Sequence, residues 1–169
     1  MIAAAAIVPL ASGNAQTTKL NGGYYLLHTL ADDESDVSML MMVKHAPPEI
    51  VKFADDITNV AKKNMATLDQ FRDRDPAIRF DQNPLPAIEQ NVRDSIKADK
   101  QHELLFGTSN SEFVRNFLVS QIEASSYAVH LNKVLGDQET DPARARALQN
   151  LSNDWAIARA RAYRLLRNY

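Results

Sequence analysis

The apolar residues of this chain recur every three to four positions, which is the spacing of one face of an α-helix. Five stretches have this spacing: 24–44, 48–71, 85–106, 113–135 and 142–166. In the second of them, Ile50, Phe53 and Ile57 begin a stripe that continues to its end. No stretch alternates apolar and polar residues in the way a half-buried strand does. The pattern therefore predicts an all-α protein.

The connections between these helices predict how they are joined. Only 45–47 separates the first two helices, and such a short connection makes them antiparallel neighbours. Asp141 followed by Pro142 predicts the N-cap and first residue of the last helix. The segment 72–84, by contrast, contains two prolines and no helical period. Thirteen extended residues reach about 40 Å, whereas a 24-residue helix is about 36 Å long. We therefore predict that this segment crosses the length of the molecule.

Two helix pairs, each with a short connection, and one long connection between the pairs predict a ferritin-like, up-down four-helix bundle with one long crossover. The first four helices would form the bundle, and 142–166 would be an additional C-terminal helix packed against it by Trp155. The bundle domain is predicted over 24–169, preceded by a polar, glycine-containing linker at 16–23. Residues 1–15 resemble a signal peptide that would be cut after Ala15, although a basic start is missing. This predicts a periplasmic or secreted protein, with a disordered tail as the alternative.

Composition narrows the classes of function. At 169 residues, with 45% apolar and 24% charged side chains, the chain has room for one soluble domain. Its longest apolar run, 2–11, is interrupted by Pro9 and is too short for the roughly 20 residues of a membrane span. A net charge of −2 argues against nucleic acid as a partner. The absence of cysteine excludes thiolate catalysis and cysteine-based metal sites.

Six polar side chains fall on helix faces that their neighbours mark as buried, and these positions are the candidate site. They are Glu34, Asn64, Asp99, Glu103, Gln121 and Ser125. Polar groups in a core cost free energy unless they are paired, hydrated or bound to something. We predict that Asn64, Gln121 and Ser125 form a polar layer in the core.

The carboxylates among them allow a metal hypothesis. Asp99 and His102 are three residues apart, and together with Glu103 and Glu34 they could hold a divalent cation. A di-iron bundle needs such a pair on each of two helices, and this chain has one. The alternative is a hydrogen-bonded polar layer without any cofactor. Because no pattern combines a nucleophile with its base, a non-enzymatic role is favoured.

The last helix is the other candidate surface. Residues 141–169 carry six basic and two acidic side chains, whereas 1–140 carry 13 and 19. Arg144, Arg159 and Arg161 could therefore dock an acidic protein partner, or the acidic body of a second copy in a homodimer. The alternative is a basic face in contact with water.

Three segments carry a family resemblance. They are Glu34 in the first helix, PEIVKFA at 48–54 and FVRNFLVSQ at 113–121. With them, 24–166 resembles the exported bacterial ferritin-like domains of unknown function. Members of that family commonly carry histidines at positions where this chain has Ala61 and Ser125, and also in the last helix, where it has none. The chain therefore resembles a divergent member that lacks the usual histidines.

The resemblance and the patterns lead to three expectations. The first is a non-enzymatic exported bundle with an envelope or stress-associated role. The second is a divergent metal-binding bundle that uses the carboxylates of the first and third helices. The third is an interaction module that works through the basic last helix.

Overall fold

A computed structural model describes residues 11–106 and 110–169, in which all regular structure is helical. The helices are α1 (Ala11–Glu34), α2 (Met39–Lys44), α3 (Pro48–Arg74), α4 (Ala87–Phe106), α5 (Asn110–Gln138) and α6 (Pro142–Leu166). The all-α prediction is confirmed. Within the described ranges, no helix combines the length and the hydropathy that crossing a bilayer requires.

Four of these helices, α1, α3, α5 and α6, enclose the core. Both α1 and α6 pack on α3, and both also pack on α5. A large cluster of buried side chains includes Phe53 near the start of α3 and Phe113 near the start of α5. A small cluster joins Phe71 and Leu135, near the ends of those helices, to Leu148 near the start of α6. It follows that α3 and α5 run in the same direction and α6 in the opposite one.

The predicted linker at 16–23 is wrong, because these residues belong to α1. Thr17 and Leu20 are buried and begin a stripe that continues with Tyr24. A Cβ atom on Gly23 would lie 2.5 Å from Leu135 Cδ2, so this glycine allows α1 to approach α5 closely. Residues 1–10 of the predicted export segment lie outside the described part of the chain, and export stays a prediction.

The predicted helix 24–44 is interrupted. α1 ends at Glu34 and α2 begins at Met39, with a turn at 35–38 between them. This turn contains two serines and an aspartate, whose side chains compete with helical hydrogen bonds. The backbone N–H of Ser38 donates to Thr58 Oγ1 of α3 at 3.2 Å, which fixes the turn against the body.

The last helix belongs to the body and is not an addition to it. The Trp155 side chain is fully buried, and its Nε1–H donates to Asn64 Oδ1 of α3 at 2.9 Å. The predicted role of Trp155 is therefore confirmed. The predicted N-cap is also confirmed, since Asp141 Oδ1 accepts from the backbone N–H groups of Ala143 and Arg144 at 2.7 and 3.0 Å.

The prediction that 85–106 packs inside the bundle is wrong. α4 lies outside the four core helices, with α5 as its main neighbour. Its apolar stripe faces water, and Ile88, Val92 and Ile96 are 76%, 49% and 49% exposed. Asp99 and Glu103, which lie on the same stripe, are exposed as well. The side of α4 that faces α1 and α5 is mixed, with Arg93, Lys97 and Lys100 beside the buried Leu104.

The segment before α4 does not cross the length of the molecule, contrary to the prediction. Ile78 is buried in the small cluster. Asn21 of α1 holds the segment through two hydrogen bonds, one from its Nδ2 to the Ala77 carbonyl oxygen and one from the Arg79 N–H to its Oδ1. A Cβ atom on Gly22 would lie 2.7 Å from Pro84 Cβ. The connection therefore passes over α1 at one end, and α4 itself runs along the body.

Candidate binding groove

A groove with a volume of about 720 Å³ lies between α1, α4 and α5. Its aliphatic wall is formed by Leu26, Leu30, Val37, Leu40, Leu85, Ile96 and Leu104. α4 contributes Arg93, Lys97 and Lys100 to the lining, together with Ile96 and Leu104.

The groove floor consists of Glu34, Ser120 and Gln121. Gln121 is only 3% exposed, and its Nε2 donates to the Glu34 carboxylate at 2.9 Å. The other amide atom, Gln121 Oε1, has no hydrogen-bond partner among the described residues. The Ser120 hydroxyl donates to the Phe117 carbonyl oxygen at 2.8 Å. Gln121 Oε1 is itself enclosed, so the acceptor atoms that the floor offers to the groove are those of Glu34 and Ser120.

The Glu34 carboxyl group titrates near neutral pH. Burial is the main cause, and with the nearby charge of Asp33 it raises the pKa of Glu34 to about 7. The hydrogen bond from Gln121 and the positive charges of Lys97 and Lys100 act in the opposite direction, but they are weaker together. The groove floor consequently carries a negative charge above about pH 7 and is largely neutral below it.

Ion pairs at the rim hold α4 in place. Lys97 Nζ lies 2.5 Å from a carboxylate oxygen of Asp33 on α1, and Lys100 pairs with Glu123 on α5. The Lys97 and Lys100 side chains are 48% and 42% exposed, and pairs in contact with water contribute about 0–1 kcal/mol each. Of the helices around the groove, α4 is therefore the most weakly attached.

The predicted polar layer is buried but divides into two parts. Asn64 and Ser125 are fully buried in the core, whereas Gln121 borders the groove. Asn64 Oδ1 also accepts from Asn132 Nδ2 at 3.4 Å. The sequence analysis missed Asn132, although its position four residues after Ala128 places it on the buried stripe of α5.

The four predicted metal ligands do not come together. Glu34 lies at the groove floor, whereas Asp99, His102 and Glu103 are exposed on α4. In the ranges that the structure describes, no three His, Asp or Glu side chains form a group that could hold a metal ion. The prediction depended on the apolar stripe of α4 facing the core, and that stripe faces water.

Two of the three predicted docking arginines are engaged within the chain. Arg144 pairs with Glu139 and Asp75, in each case at 2.9 Å, and its side chain is only 14% exposed. Arg161 pairs with Asp56 and lies 5.6 Å from the ring centre of Phe53. Arg159 is partly exposed on α6. Arg144 is therefore a structural group, not a docking residue.

Arg144 belongs to an arginine cluster that also contains Tyr24, Asp75 and Glu139. The Tyr24 hydroxyl donates to the Glu139 carboxylate, and burial together with this bond raises the pKa of Tyr24. Burial alone would raise the pKa of Glu139, but hydrogen bonds from Arg144, the Asp141 N–H and Tyr24 outweigh it and lower that pKa. Sequence reasoning missed Tyr24 and Glu139, because only the fold brings them together.

Comparisons with known proteins yield no relative, since the chain matches no protein-family model, no curated protein and no solved structure. What the groove binds must therefore be inferred from its own side chains. Those side chains form an aliphatic wall, a polar floor and a charged rim.

Proposed function

We propose that this protein is a non-enzymatic binding protein that holds an elongated, mainly apolar molecule in the groove between α1, α4 and α5. The observation that carries the proposal is the groove itself, a space of about 720 Å³ with an aliphatic wall and the hydrogen-bonded pair of Glu34 and Gln121 at its floor. Apolar side chains that border water favour a ligand that covers them.

The size and lining of the groove support small-molecule binding. Ligand sites have volumes of about 300–1,000 Å³, mostly apolar walls and a few polar groups that orient the ligand. The groove has about 720 Å³, with Leu26, Leu30 and Leu104 in its wall. Each CH₂ group that leaves water there contributes about 0.8 kcal/mol. Glu34 and Gln121 already bond to each other, as groups that orient a ligand would, which favours binding over catalysis.

A fluorescent apolar probe tests the proposal. N-phenyl-1-naphthylamine should bind saturably and brighten as it leaves water. Ala124 lines the groove on α5, so Ala124→Trp should fill the space and weaken probe binding at least tenfold. The matched control is Ala160→Trp on the exposed face of α6, which should change binding less than twofold. Absence of saturable binding, or equal binding by both variants, would contradict the groove function.

A divergent ferritin-like identity is part of the same proposal. In it, α1, α3, α5 and α6 are the four helices, and the whole α3–α5 connection, with α4 inside it, is the crossing segment. The parallel course of α3 and α5 supports this, as does the contact between two residues of the family resemblance, Glu34 and Gln121. A crystal structure with α3 and α5 antiparallel would refute it.

Export to the periplasm completes the proposal, with an envelope or stress-associated role. It rests on the apolar residues 2–10 and the small residues Gly13 and Ala15 before Gln16. N-terminal sequencing of the native protein tests it. A chain that begins at Gln16 supports export, and an intact N-terminus on protein from the cytoplasm contradicts it.

A further inference from the structure

The groove floor has unused acceptors and needs donors from a ligand. The Glu34 carboxylate accepts one bond from Gln121 and keeps further lone pairs. The Ser120 hydroxyl has given its hydrogen to Phe117, so its oxygen can act only as an acceptor. A ligand group that donates several hydrogen bonds fits these two residues.

The charge around the groove also favours a cation. Its lining contains five carboxylates, Asp33, Glu34, Asp36, Asp94 and Glu123, and three basic residues, Arg93, Lys97 and Lys100. The basic side chains already pair with carboxylates, Lys97 with Asp33, Lys100 with Glu123, and Arg93 with Glu89. With Glu34 ionised, the lining as a whole therefore carries two more negative than positive charges, which disfavours an anionic head group.

We propose that the groove binds a primary alkylammonium amphiphile, with its ammonium group on Glu34 and its chain along the aliphatic wall. This inference rests on the proposed binding function of the groove. A primary ammonium has three N–H donors and no acceptor, which matches the acceptor oxygens of Glu34 and Ser120. A hydroxyl offers one donor and a carboxylate none, so the head group decides the affinity.

The first experiment compares head groups on one chain length. Decylammonium, decanol and decanoate each displace N-phenyl-1-naphthylamine from the wild-type protein at pH 8, below the concentrations at which they form micelles. Half-displacement of the probe should require at least tenfold less decylammonium than decanol. The concentration of decanoate that it requires should be the highest of the three. Because this series uses only the wild-type protein, it does not depend on any variant folding.

Two variants then identify the group that recognises the ammonium. Glu34→Gln keeps the shape of the side chain and removes its charge, so the preference of decylammonium over decanol should fall at least tenfold while decanol displacement is unchanged. Asp32→Asn removes the same charge from an exposed residue of α1 that does not line the groove. It should change that preference less than threefold, because water screens an exposed carboxylate.

The pH dependence provides an independent readout. Displacement by decylammonium should strengthen between pH 6 and pH 8 as Glu34 loses its proton, because alkylammonium groups stay charged up to about pH 10. The charged groups that face Glu34 are Asp33 on α1, Lys97 and Lys100 on α4 and Glu123 on α5. Displacement by decanol, and every displacement from Glu34→Gln, should be independent of pH in this range.

The outcomes separate this inference from the proposed function. Equal displacement by the three amphiphiles, or the strongest displacement by decanoate, overturns the ammonium inference and leaves groove binding intact. A wild-type preference for decylammonium that survives in Glu34→Gln overturns the role of Glu34. If the probe does not bind the wild-type protein saturably, the groove function and the ammonium inference both fail.

Discussion

Glu139 in the arginine cluster and Glu34 at the groove floor are both withdrawn from water, but their carboxyl groups have opposite pKa shifts. Hydrogen bonds from Arg144, the Asp141 N–H and Tyr24 outweigh the effect of burial and lower the pKa of Glu139. Glu34 receives one side-chain bond, from Gln121, and its pKa rises to about 7. The two residues differ above all in how many donors reach their carboxyl groups.

This difference separates a structural polar cluster from a binding site. The arginine cluster joins the middle of α1, the end of α3 and the α5–α6 connection through Tyr24, Asp75 and Glu139. Both oxygens of Glu139 accept hydrogen bonds from within the chain, so the cluster rigidifies the fold and has little to offer a ligand. The groove floor is incompletely matched, which costs stability in the free protein and leaves acceptors for a bound molecule.

The largest effect is expected from breaking the arginine cluster. Arg144→Ala leaves the fully buried Glu139 side chain without its cation and should reduce the free energy of unfolding by about 3–5 kcal/mol in urea titrations. Arg146→Ala, at an exposed position on the same helix, should change it by less than about 0.5 kcal/mol. Similar losses in both variants would mean that the cluster does not tie the fold together.

Adding carbon atoms should distinguish the closed packing of α1 on α5 from the open groove. Gly23→Ala would normally gain about 1 kcal/mol of helix propensity. Its Cβ would lie 2.5 Å from Leu135 Cδ2, however, so we expect a net loss of about 1–3 kcal/mol in urea titrations. Ala124→Leu extends into the groove and should change stability by less than about 0.5 kcal/mol. A large loss in Ala124→Leu would show that the groove is filled in solution.

The sequence predicts where the helices lie because burial on one face imposes a 3.6-residue period. The predicted stretch 48–71 differs from α3 only at its C-terminal end, and Asp141 and Pro142 begin α6 as expected. The period does not say which helix is covered by others. The stripes of 85–106 and 142–166 have the same spacing, yet only the second is buried.

A physical difference between those two stripes could have indicated which of them is buried. Asp99 and Glu103 interrupt the stripe of α4, so burying that face would also bury two carboxylates. The stripe of α6 contains the small residues Ala158 and Ala162, which allow a neighbouring helix to approach closely. Interpreting the carboxylates as inward ligands, and not as a reason for exposure, produced a set of candidate metal ligands that the fold does not bring together among the described residues.

The groove floor was predicted only in part. Glu34 and Gln121 were identified as polar residues on buried stripes, but they are 87 positions apart and their contact depends on how α1 and α5 pack. The groove itself depends on which side α4 turns toward the body, and several orientations of a weakly packed helix are compatible with one amphipathic pattern. The residues of the site were therefore predictable, whereas the cavity between them was not.

A smaller effect is expected from pH. The pKa of Glu34 in the folded protein, about 7, lies above its ordinary value of 4.5. Its contribution to stability is therefore fully present below about pH 4.5 and is lost as the pH rises through about 7. Because the side chain is only partly buried, we expect a decrease of about 1–2 kcal/mol in the free energy of unfolding between pH 5 and pH 8. Glu34→Gln should remove this decrease, and an unchanged pH profile in that variant would place the titration elsewhere.

The smallest global effect is expected at the rim. Lys97→Ala removes a pair with Asp33 in which the side chains are 48% and 35% exposed, so the free energy of unfolding should fall by less than about 1 kcal/mol. The local effect should be larger, because few other contacts hold α4. Amide hydrogen exchange should accelerate severalfold in α4 and stay unchanged in α5 and α6. If α4 instead exchanges at the same rate as α6 in both proteins, it unfolds only with the whole body. In that case α4 would be as firmly attached as the arginine cluster, and a ligand could enter the groove only between fixed walls.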